Sequence, residues 1–559
     1  MLRSFLKLIS FEEKKIIFFF SILTIVVSLT EGFGIFLISS IFGKQLSLDF
    51  QLININKFEK NILLILLIFF FFKFILLNFY SLIRIYLTTR FVEKNGEKIF
   101  RIYLNQSLNF YIQNNSSEFV RNISMETDKL SYCYDSLLRF FGELLVFFVL
   151  ISILLFLNFK LTFFFILVLS FIGFLFVILS KKKLNYFSKV SFIQSAYILK
   201  NIKEAFDSVR EIKIFSLNSF YLKKFKYSNF LIRQSYRYSG FIQEIPRNTL
   251  EFFVILILLL TFEYSDFFFI KKENIFDPGF IFAVIFSALR LIPGSLRIVS
   301  FFNSLNYILP SINEIFNLFK KNRKKLIIKK IKNENCFNSN IVFKNIYFKY
   351  PQQKNFTLKN INLKILKNKK YILKGESGSG KTTFVDILSG FLKPVKGSVL
   401  IDKKNFFLND NWLGKISYMS QSSQLFDSTI LENIVLQDYP LNVNKKKLFN
   451  SLKISNSNKF TDSLPGKLNY IVGENGQRLS GGQRQRVLLA RCLYKDSDII
   501  ILDEFLSAID EKNSKQILNL IKNIKNKTLI LILHKFKKIN FVDYVINFEN
   551  SKVSLKKNQ

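Results

Sequence analysis

Eight consecutive residues, Gly375-Glu376-Ser377-Gly378-Ser379-Gly380-Lys381-Thr382, join the strand-forming run 370–374 to a predicted helix. Three glycines let the backbone turn tightly enough for its N–H groups to converge on an anion, and the helix adds the positive end of its dipole. In that setting Lys381 bridges the β- and γ-phosphates of a nucleoside triphosphate, Thr382 offers its hydroxyl to Mg2+, and Thr383 belongs to the same nucleotide-binding set. A second apolar run, Ile499 to Leu502, ends in Asp503 and Glu504. A strand of this kind sets Asp503 at the carboxyl edge of a sheet, close enough to hold Mg2+ through water. Glu504 then points at the γ-phosphate as general base. The single histidine of the chain, His534, follows a third run, Leu529 to Leu533, where a polar side chain reaches the same phosphate. The chemistry expected of these residues is ATP hydrolysis with Mg2+.

Between the phosphate loop and the acidic pair lies Leu479-Ser480-Gly481-Gly482-Gln483-Arg484-Gln485-Arg486. Ser480 and two glycines opening a helix make a second anion cradle. At this stretch the chain resembles the ATP-binding cassette (ABC) superfamily. The resemblance implies that Ser480, Gly481, Gly482 and Gln483 close over the γ-phosphate held by the phosphate loop of another subunit. It further implies that Gln421 is the loop glutamine that senses Mg2+ and the membrane domain, that Tyr350 stacks on adenine, and that Asp510 lies in the loop facing the partner. His534 maps to the histidine switch, although Lys535-Phe536 departs from the usual His-Arg-Leu.

Those elements need a scaffold, and composition says that two regimes share the 559 residues. With 50% hydrophobic residues and 69 Phe the chain is too apolar for an ordinary soluble enzyme, and with 21% charged residues it is too polar for a purely embedded one. Six apolar stretches of about 20 residues or more, near 16–42, 61–86, 138–157, 161–180, 248–264 and 278–309, are predicted spans. After residue 340 such stretches vanish. A first span, not a cleaved signal, is expected at the N-terminus. The segments 87–137 and 181–247 are rich in basic residues while the short outer loops at 43–60 and 265–277 hold few, which places the two long segments, both termini and the cassette on the cytoplasmic side. Their length predicts helices that continue beyond the membrane and fold back at elbows near Phe110–Glu118 and Ile212–Phe220.

A net charge of +40 invites a nucleic-acid reading, but the lysines are dispersed and form no concentrated stripe. Nucleic acid is therefore not an expected partner, and anionic inner-leaflet lipids are the expected counter-charge. Cys133, Cys336 and Cys492 are too scattered for a zinc site or a disulfide framework. Within the spans, Glu31, Lys73 and Arg290 fall at similar depth, about 17 to 20 Å below the outer surface at 1.5 Å per residue. Arg297 lies two helical turns beyond Arg290. One carboxylate cannot neutralise three cations, so Lys73, Arg290 and Arg297 are candidates for holding an amphiphilic anionic substrate.

The expected fold is a membrane α-helical domain of six transmembrane helices with long cytoplasmic extensions, at 1–320, then a linker at 321–335 and an α/β P-loop ATP-binding cassette at 336–559. Six spans and one cassette resemble an ABC half-transporter of the exporter type, similar to the bacterial lipid A flippase. This implies a second half-transporter as partner, a homodimer being sufficient, in the inner membrane. The stretches Thr30-Glu31, Pro246-Arg247 with Glu251, and Leu289 to Pro293 with Arg297 look like the lipid-linked oligosaccharide flippases of protein glycosylation. Export of another lipid, peptide or drug, or an ATP-gated channel or regulator, are the alternatives.

Overall fold

The computed structural model describes residues 11–42, 62–157, 159–263, 278–321, 337–351, 353–405, 412–436, 440, 442–533, 539–549 and 551–558. The chain divides into two compact units, Met1–Gln106 with Tyr111–Ile328, and Ser107–Phe110 with Lys329–Gln559. The expected outer loops at 43–60 and 265–277, and the expected linker apart from Lys321, lie outside the described residues.

The first unit is helical. Its elements are α1 (Phe11–Phe42), α2 (Ile62–Leu104), the end of α3 (Leu108–Gln113, whose residues 108–110 belong to the second unit), α4 (Ser116–Ile123), α5 (Met125–Leu157), α6 (Phe159–Asp207), α7 (Val209–Ile214), α8 (Asn218–Glu263), α9 (Pro278–Tyr307) and α10 (Leu309–Lys321). Each predicted span falls on one of the long helices α1, α2, α5, α6, α8 and α9. Among the described residues, four helical stretches, Glu13–Ile35, Leu66–Leu104, Ser116–Leu155 and Thr162–Asp207, are long and apolar enough to cross a membrane. The 49 residues of α6 extend about 74 Å, more than twice the hydrocarbon thickness of a bilayer. Its remainder must therefore project into water. Large apolar side chains such as Phe19, Leu67, Phe71 and Phe174 are exposed along these helices, an arrangement suited to lipid and costly in water. The elbows form near the expected places: Asn115 caps α4 by accepting from the Ser117 amide at 3.0 Å, and Ser216, with φ of 55°, ends the turn after α7.

Within this unit α5 packs against α1, α2 and α9. Its pairing with α9 is antiparallel. Val146 and Leu150 cluster with Leu291, Phe140 stacks on Phe301 at 4.6 Å, and Ser136 Oγ lies 3.0 Å from Ser304 Oγ. Helix α9 continues through Pro293. At Gly294 an added Cβ would come within 2.6 Å of the Phe147 ring and 2.8 Å of Glu143 Oε2, so the absent side chain is what admits α5 at this level.

The second unit holds two sheets. An antiparallel one is built from β1 (Asn340–Phe348), β2 (Leu358–Leu366), β4 (Lys396–Ile401) and β5 (Lys404–Asn405), in the order β2-β1-β4-β5. The other has the order β10-β9-β3-β8-β7-β6, from β3 (Lys370–Gly375), β6 (Ile416–Met419), β7 (Ile499–Asp503), β8 (Thr528–Ile532), β9 (Tyr544–Glu549) and β10 (Lys552–Lys557). Strands β9, β3, β8, β7 and β6 run parallel. Every residue of β7 and β8 is buried, as a strand covered on both faces requires. Tyr371, Leu373, Ile499, Ile501, Ile530 and Ile532 face the core of α11 (Lys381–Leu388). Ile500, Leu502, Leu529 and Leu531 face that of α15 (Gly481–Tyr494) and α16 (Glu511–Lys522).

Between β6 and α15 come α12 (Ile430–Val435), α13 (Lys445–Ile454) and α14 (Asn458–Ser463). Asn433, fully buried, ties this region together. Its Nδ2 donates to Phe426 O, Ser428 Oγ and Thr429 O at 2.9 to 3.0 Å, and its Oδ1 accepts from the Phe426 amide and from Arg491 Nη2. Arg491 also donates to Asn433 O at 2.7 Å and to Gln424 O at 2.9 Å, and burial pulls its pKa down to about 10. Asn433→Ala strips several buried groups of partners and should cost about 3 kcal/mol. Trp412 is the only tryptophan and is buried with its Nε1 donating to Leu388 O at 2.8 Å. Denaturant unfolding followed by its fluorescence should show the lowered midpoint.

Candidate functional site

In the parallel sheet Leu373 pairs with Ile532, and Ile532 with Asp503. The loop after β3 and the acidic pair after β7 therefore leave the same edge, one strand apart. Gly375 (φ 153°) has no space for a Cβ, which would meet Phe548 O at 2.7 Å and Ser379 Oγ at 2.8 Å. Gly380, at φ 101°, starts α11 in a left-handed conformation that glycine adopts at little cost. Residues Gly375 to Gly378 are exposed, as is Thr382, whose hydroxyl is open at the first turn of α11. Thr383 is buried instead, its Oγ1 3.2 Å from the hydroxyl of Tyr350. The Tyr350 ring stands edge-on to Phe348 at 5.1 Å, beside the start of α11.

Lys381 Nζ donates to the carbonyls of Gly375 at 2.8 Å and Glu376 at 2.7 Å, which holds the ammonium over the loop. Burial lowers its pKa, while Asp503 and Glu504 act in the opposite sense. Ser379 Oγ is buried inside the loop and has no hydrogen-bond partner among the described residues. An inward hydroxyl, a held ammonium and a helix N-terminus fit a polyphosphate.

Asp503 is buried as the last residue of β7. Its neighbour Glu504 has φ of 49°, unusual for a non-glycine residue and retained only where surroundings impose it. Here its amide donates to Ile532 O at 3.0 Å, and its carboxylate accepts from Gln421 Nε2 at 3.0 Å. That bond leaves the Gln421 carbonyl oxygen as a possible cation ligand. Thr382, Asp503 and Gln421 supply the hard oxygen donors that suit Mg2+ with phosphate and water. Among the described residues no cluster of three or more His, Cys, Asp or Glu forms a metal site of its own.

Ser480 caps α15: its Oγ accepts from the Gln483 amide at 3.2 Å, and Gln483 Oε1 accepts from the Ser480 amide at 3.0 Å. Gly482 admits the following loop closely, since a Cβ would lie 2.9 Å from Ala508 O. Gln485 was missed as a site residue. It donates to Ser507 Oγ at 2.6 Å and accepts from the Ala508 amide at 2.9 Å, linking the 480–483 helix end to the turn after Glu504. Its place within the 479–486 stretch was the available signal. Asp510 caps α16, Oδ1 accepting from the Asn513 amide at 2.9 Å, and the Asn513 side chain is the main cause of its lowered pKa. Gln421, Gln485, Asp503, Glu504 and Gly481 share a cavity of about 280 Å³. His534 lies outside the described residues.

The charged layer in the helical unit differs from expectation. Lys73 Nζ donates to Glu31 Oε2 at 2.8 Å, and Arg290 Nε lies 3.4 Å from Glu31 Oε1. Arg290 Nη1 reaches Glu143 Oε2 at 3.0 Å, and Arg297 Nη1 pairs with Glu143 Oε1. Two carboxylates, not one, serve Lys73, Arg290 and Arg297, so the surplus is one positive charge. Glu143 sits in the run 138–157, and only the packing of α5 against α1 and α9 brings it to this layer.

Gly294 makes room for that carboxylate, and overpacking a filled site costs about 1–3 kcal/mol. Gly294→Ala should accordingly lower the melting temperature of the purified protein. Gly240→Ala, where a Cβ meets nothing within 4 Å, should leave it unchanged or slightly raised.

Residues 16–291 match the family described as ABC transporter transmembrane region, and residues 358–507 the family described as ABC transporter. A putative export ATP-binding/permease protein of Rickettsia bellii is 33% identical over 38% of this chain and 37% of its own length. An ATP-dependent lipid A-core flippase of Idiomarina loihiensis is 34% identical, again over 38% of this chain and 37% of the relative. The match thus spans a little over a third of these curated relatives. A structure of a bacterial Atm1-family ABC exporter with ATP bound superposes with a TM-score of 0.79 over 96% of this chain and 94% of that one, at 18% identity. A transmembrane region followed by an ATP-binding domain, matched in one polypeptide on the fold of an exporter, means that the chain belongs to the ABC transporter family.

Proposed function

We propose that this protein is one half of an ATP-driven exporter that moves an amphiphile with an anionic head group across the inner membrane, a lipid-linked oligosaccharide being the preferred cargo. The observation that carries the reading is the joint placement of Lys381, Asp503, Glu504 and Gln421 at one sheet edge, in a chain whose other half is built for lipid. Residues 1–320 form the membrane domain, 321–335 the linker and 336–559 the cassette, which faces the cytoplasm with both termini.

Residues 375–382 and Lys381 hold the phosphates, and Tyr350 borders the adenine. Glu504 orients and deprotonates the attacking water. Thr382, Asp503 and Gln421 hold Mg2+, which neutralises developing phosphate charge when bound. His534 contacts the γ-phosphate. One chain carries one phosphate loop and one Ser480–Gln483 cradle, so two chains pair head to tail, and a homodimer has two equivalent sites. Closure on ATP turns the membrane helices outward, and hydrolysis resets them. The layer of Lys73, Arg290 and Arg297, with one positive charge in excess of Glu31 and Glu143, attracts the anionic head group.

A second reading, export of a different anionic lipid, is favoured by the likeness to a lipid A-core flippase. Glu504→Gln should reduce steady-state ATPase activity by about a hundredfold or more, while ATP binding persists. Retained turnover would instead remove Glu504 from the chemistry. In reconstituted vesicles, polyprenyl-pyrophosphate glycans should stimulate ATP hydrolysis and cross the bilayer. Stimulation by lipid A precursors alone would transfer the assignment to the second reading.

A further inference from the structure

The charged layer continues along one face of α5, and its groups are not equivalent. Asp135, Arg139 and Glu143 follow at four-residue spacing and share that face. Asp135 Oδ2 accepts from Arg139 Nε at 2.7 Å, and Asp135 Oδ1 lies 3.3 Å from Arg84 Nε. Tyr80, one turn before Arg84 on α2, reaches the same place: a Cβ on Gly142 would be 2.8 Å from its hydroxyl. Tyr80 and Arg84 are each within electrostatic reach of both Arg139 and Arg297. The antiparallel pairing of α5 with α9 explains this convergence. Glu143 engages Arg290 and Arg297, Phe140 meets Phe301, and Ser136 meets Ser304, so Arg297 stands opposite the turn of α5 that carries Glu143, one turn from Arg139.

Donor use and exposure separate the cations, Arg84 having only its 3.3 Å approach to Asp135 and a side chain 14% exposed. Lys73 is given to Glu31. Arg290 is spent on carboxylates at all three nitrogens, Nε toward Glu31 and Nη1 and Nη2 toward Glu143. Arg297 gives Nη1 to Glu143, and Arg139 gives Nε to Asp135. The other guanidinium nitrogens of these two have no hydrogen-bond partner among the described residues. Exposure follows the same division: the side chains of Arg297 and Arg139 are 44% and 40% exposed, those of Arg290 and Lys73 22% and 15%, and that of Glu143 only 5%. Five cations, Lys73, Arg84, Arg139, Arg290 and Arg297, face three carboxylates, Glu31, Asp135 and Glu143. Two positive charges are thus left over, and the two open guanidinium edges are where they are displayed.

We infer that Arg139 and Arg297 together form the contact site for a polyanionic phosphate head group, while Glu143, Arg290, Glu31 and Lys73 position Arg297 and Asp135 positions Arg139. This rests on the reading of the cargo as an anionic amphiphile and refines it. Each guanidinium is gripped along one edge by a buried or half-buried carboxylate and offers the other as a planar pair of donors. That is the geometry with which arginine binds phosphate oxygens two at a time. Two forks about one helical turn apart suit a pyrophosphate better than a single phosphate, and the carboxylate on each holds its guanidinium in place before cargo arrives.

The test uses the full-length protein in phosphatidylethanolamine vesicles, with ATPase stimulation measured against polyprenyl pyrophosphate, polyprenyl monophosphate, neutral polyprenol and free inorganic pyrophosphate. Arg139→Gln and Arg297→Gln should each raise the half-stimulating concentration of polyprenyl pyrophosphate by about tenfold, the loss of one charge-assisted pair, with the maximal rate little altered. Arg139→Lys and Arg297→Lys should recover part of the loss. Lys73→Met and Arg290→Met should act mainly on melting temperature and maximal rate. If the Lys73 and Arg290 variants raise the half-stimulating concentration and the Arg139 and Arg297 variants do not, this assignment is overturned although the anionic-cargo reading stands. If neutral polyprenol stimulates equally and no variant alters the concentration needed, the anionic-cargo reading itself fails. Stimulation by free pyrophosphate at the same concentration as the lipid would keep the site and reassign its ligand to a soluble anion.

Discussion

The alignment of β3, β8 and β7 is the constraint on which the nucleotide apparatus depends. Leu373, Ile532 and Asp503 lie in register across three parallel strands. Because parallel strands end at a common edge, the phosphate loop and the acidic pair must emerge side by side. Their central residues, 371–373, 499–502 and 529–532, are apolar or aromatic and buried on both faces, so a slip by one residue would exchange the two faces and cost the packing of both helical layers. Within that frame the backbone hydrogen bond from the Glu504 amide to Ile532 O holds Glu504 at its left-handed φ of 49°. The position of Glu504 is thus determined by the sheet more than by its own loop.

Charge inside the helical unit is governed by a different balance. An isolated charge in a membrane span costs about 2.5 to 3.5 kcal/mol on insertion scales, and each one here is joined to an opposite charge within a few ångströms. The chain Lys73–Glu31–Arg290–Glu143–Arg297 crosses four helices, α2, α1, α9 and α5. It therefore specifies which helices are neighbours as well as offsetting desolvation. Gly294 supplies the space in which Glu143 can serve two arginines at once.

Both halves use small residues and buried amides for the same purpose, close approach. Gly482 lets the loop at Ala508 come against α15, and Gln485 fastens that loop by three polar contacts. Asn433 and Arg491 do likewise for the segment between Gln424 and α12. Gln421 precedes this fastened segment and meets Glu504 at its far end. Hydrogen-bonded loops of this kind transmit a displacement without the freedom of a solvated coil.

Much of the fold was legible because its signals are local. Apolar runs of span length, a glycine loop between a strand and a helix, and an apolar strand ending in Asp503 and Glu504 each follow from neighbouring residues and backbone sterics. The elbows near 110–118 and 212–220 were legible for the same reason, as breaks in long helical patterns. What the chain order could not reveal was partnership at a distance. Glu143 is one acid in an apolar run until α5 packs on α9, 147 residues later, and Gln485 is an ordinary helix residue until the loop at Ser507 closes on it. Thr383 looked like a member of the phosphate loop, yet the helix turns it inward to Tyr350. Sequence by itself determined the element types and the chemistry of the nucleotide loop, since both depend on residues adjacent in the chain. Tertiary structure decided which charges neutralise each other and which remain open, because electrostatic energy depends on separation in space.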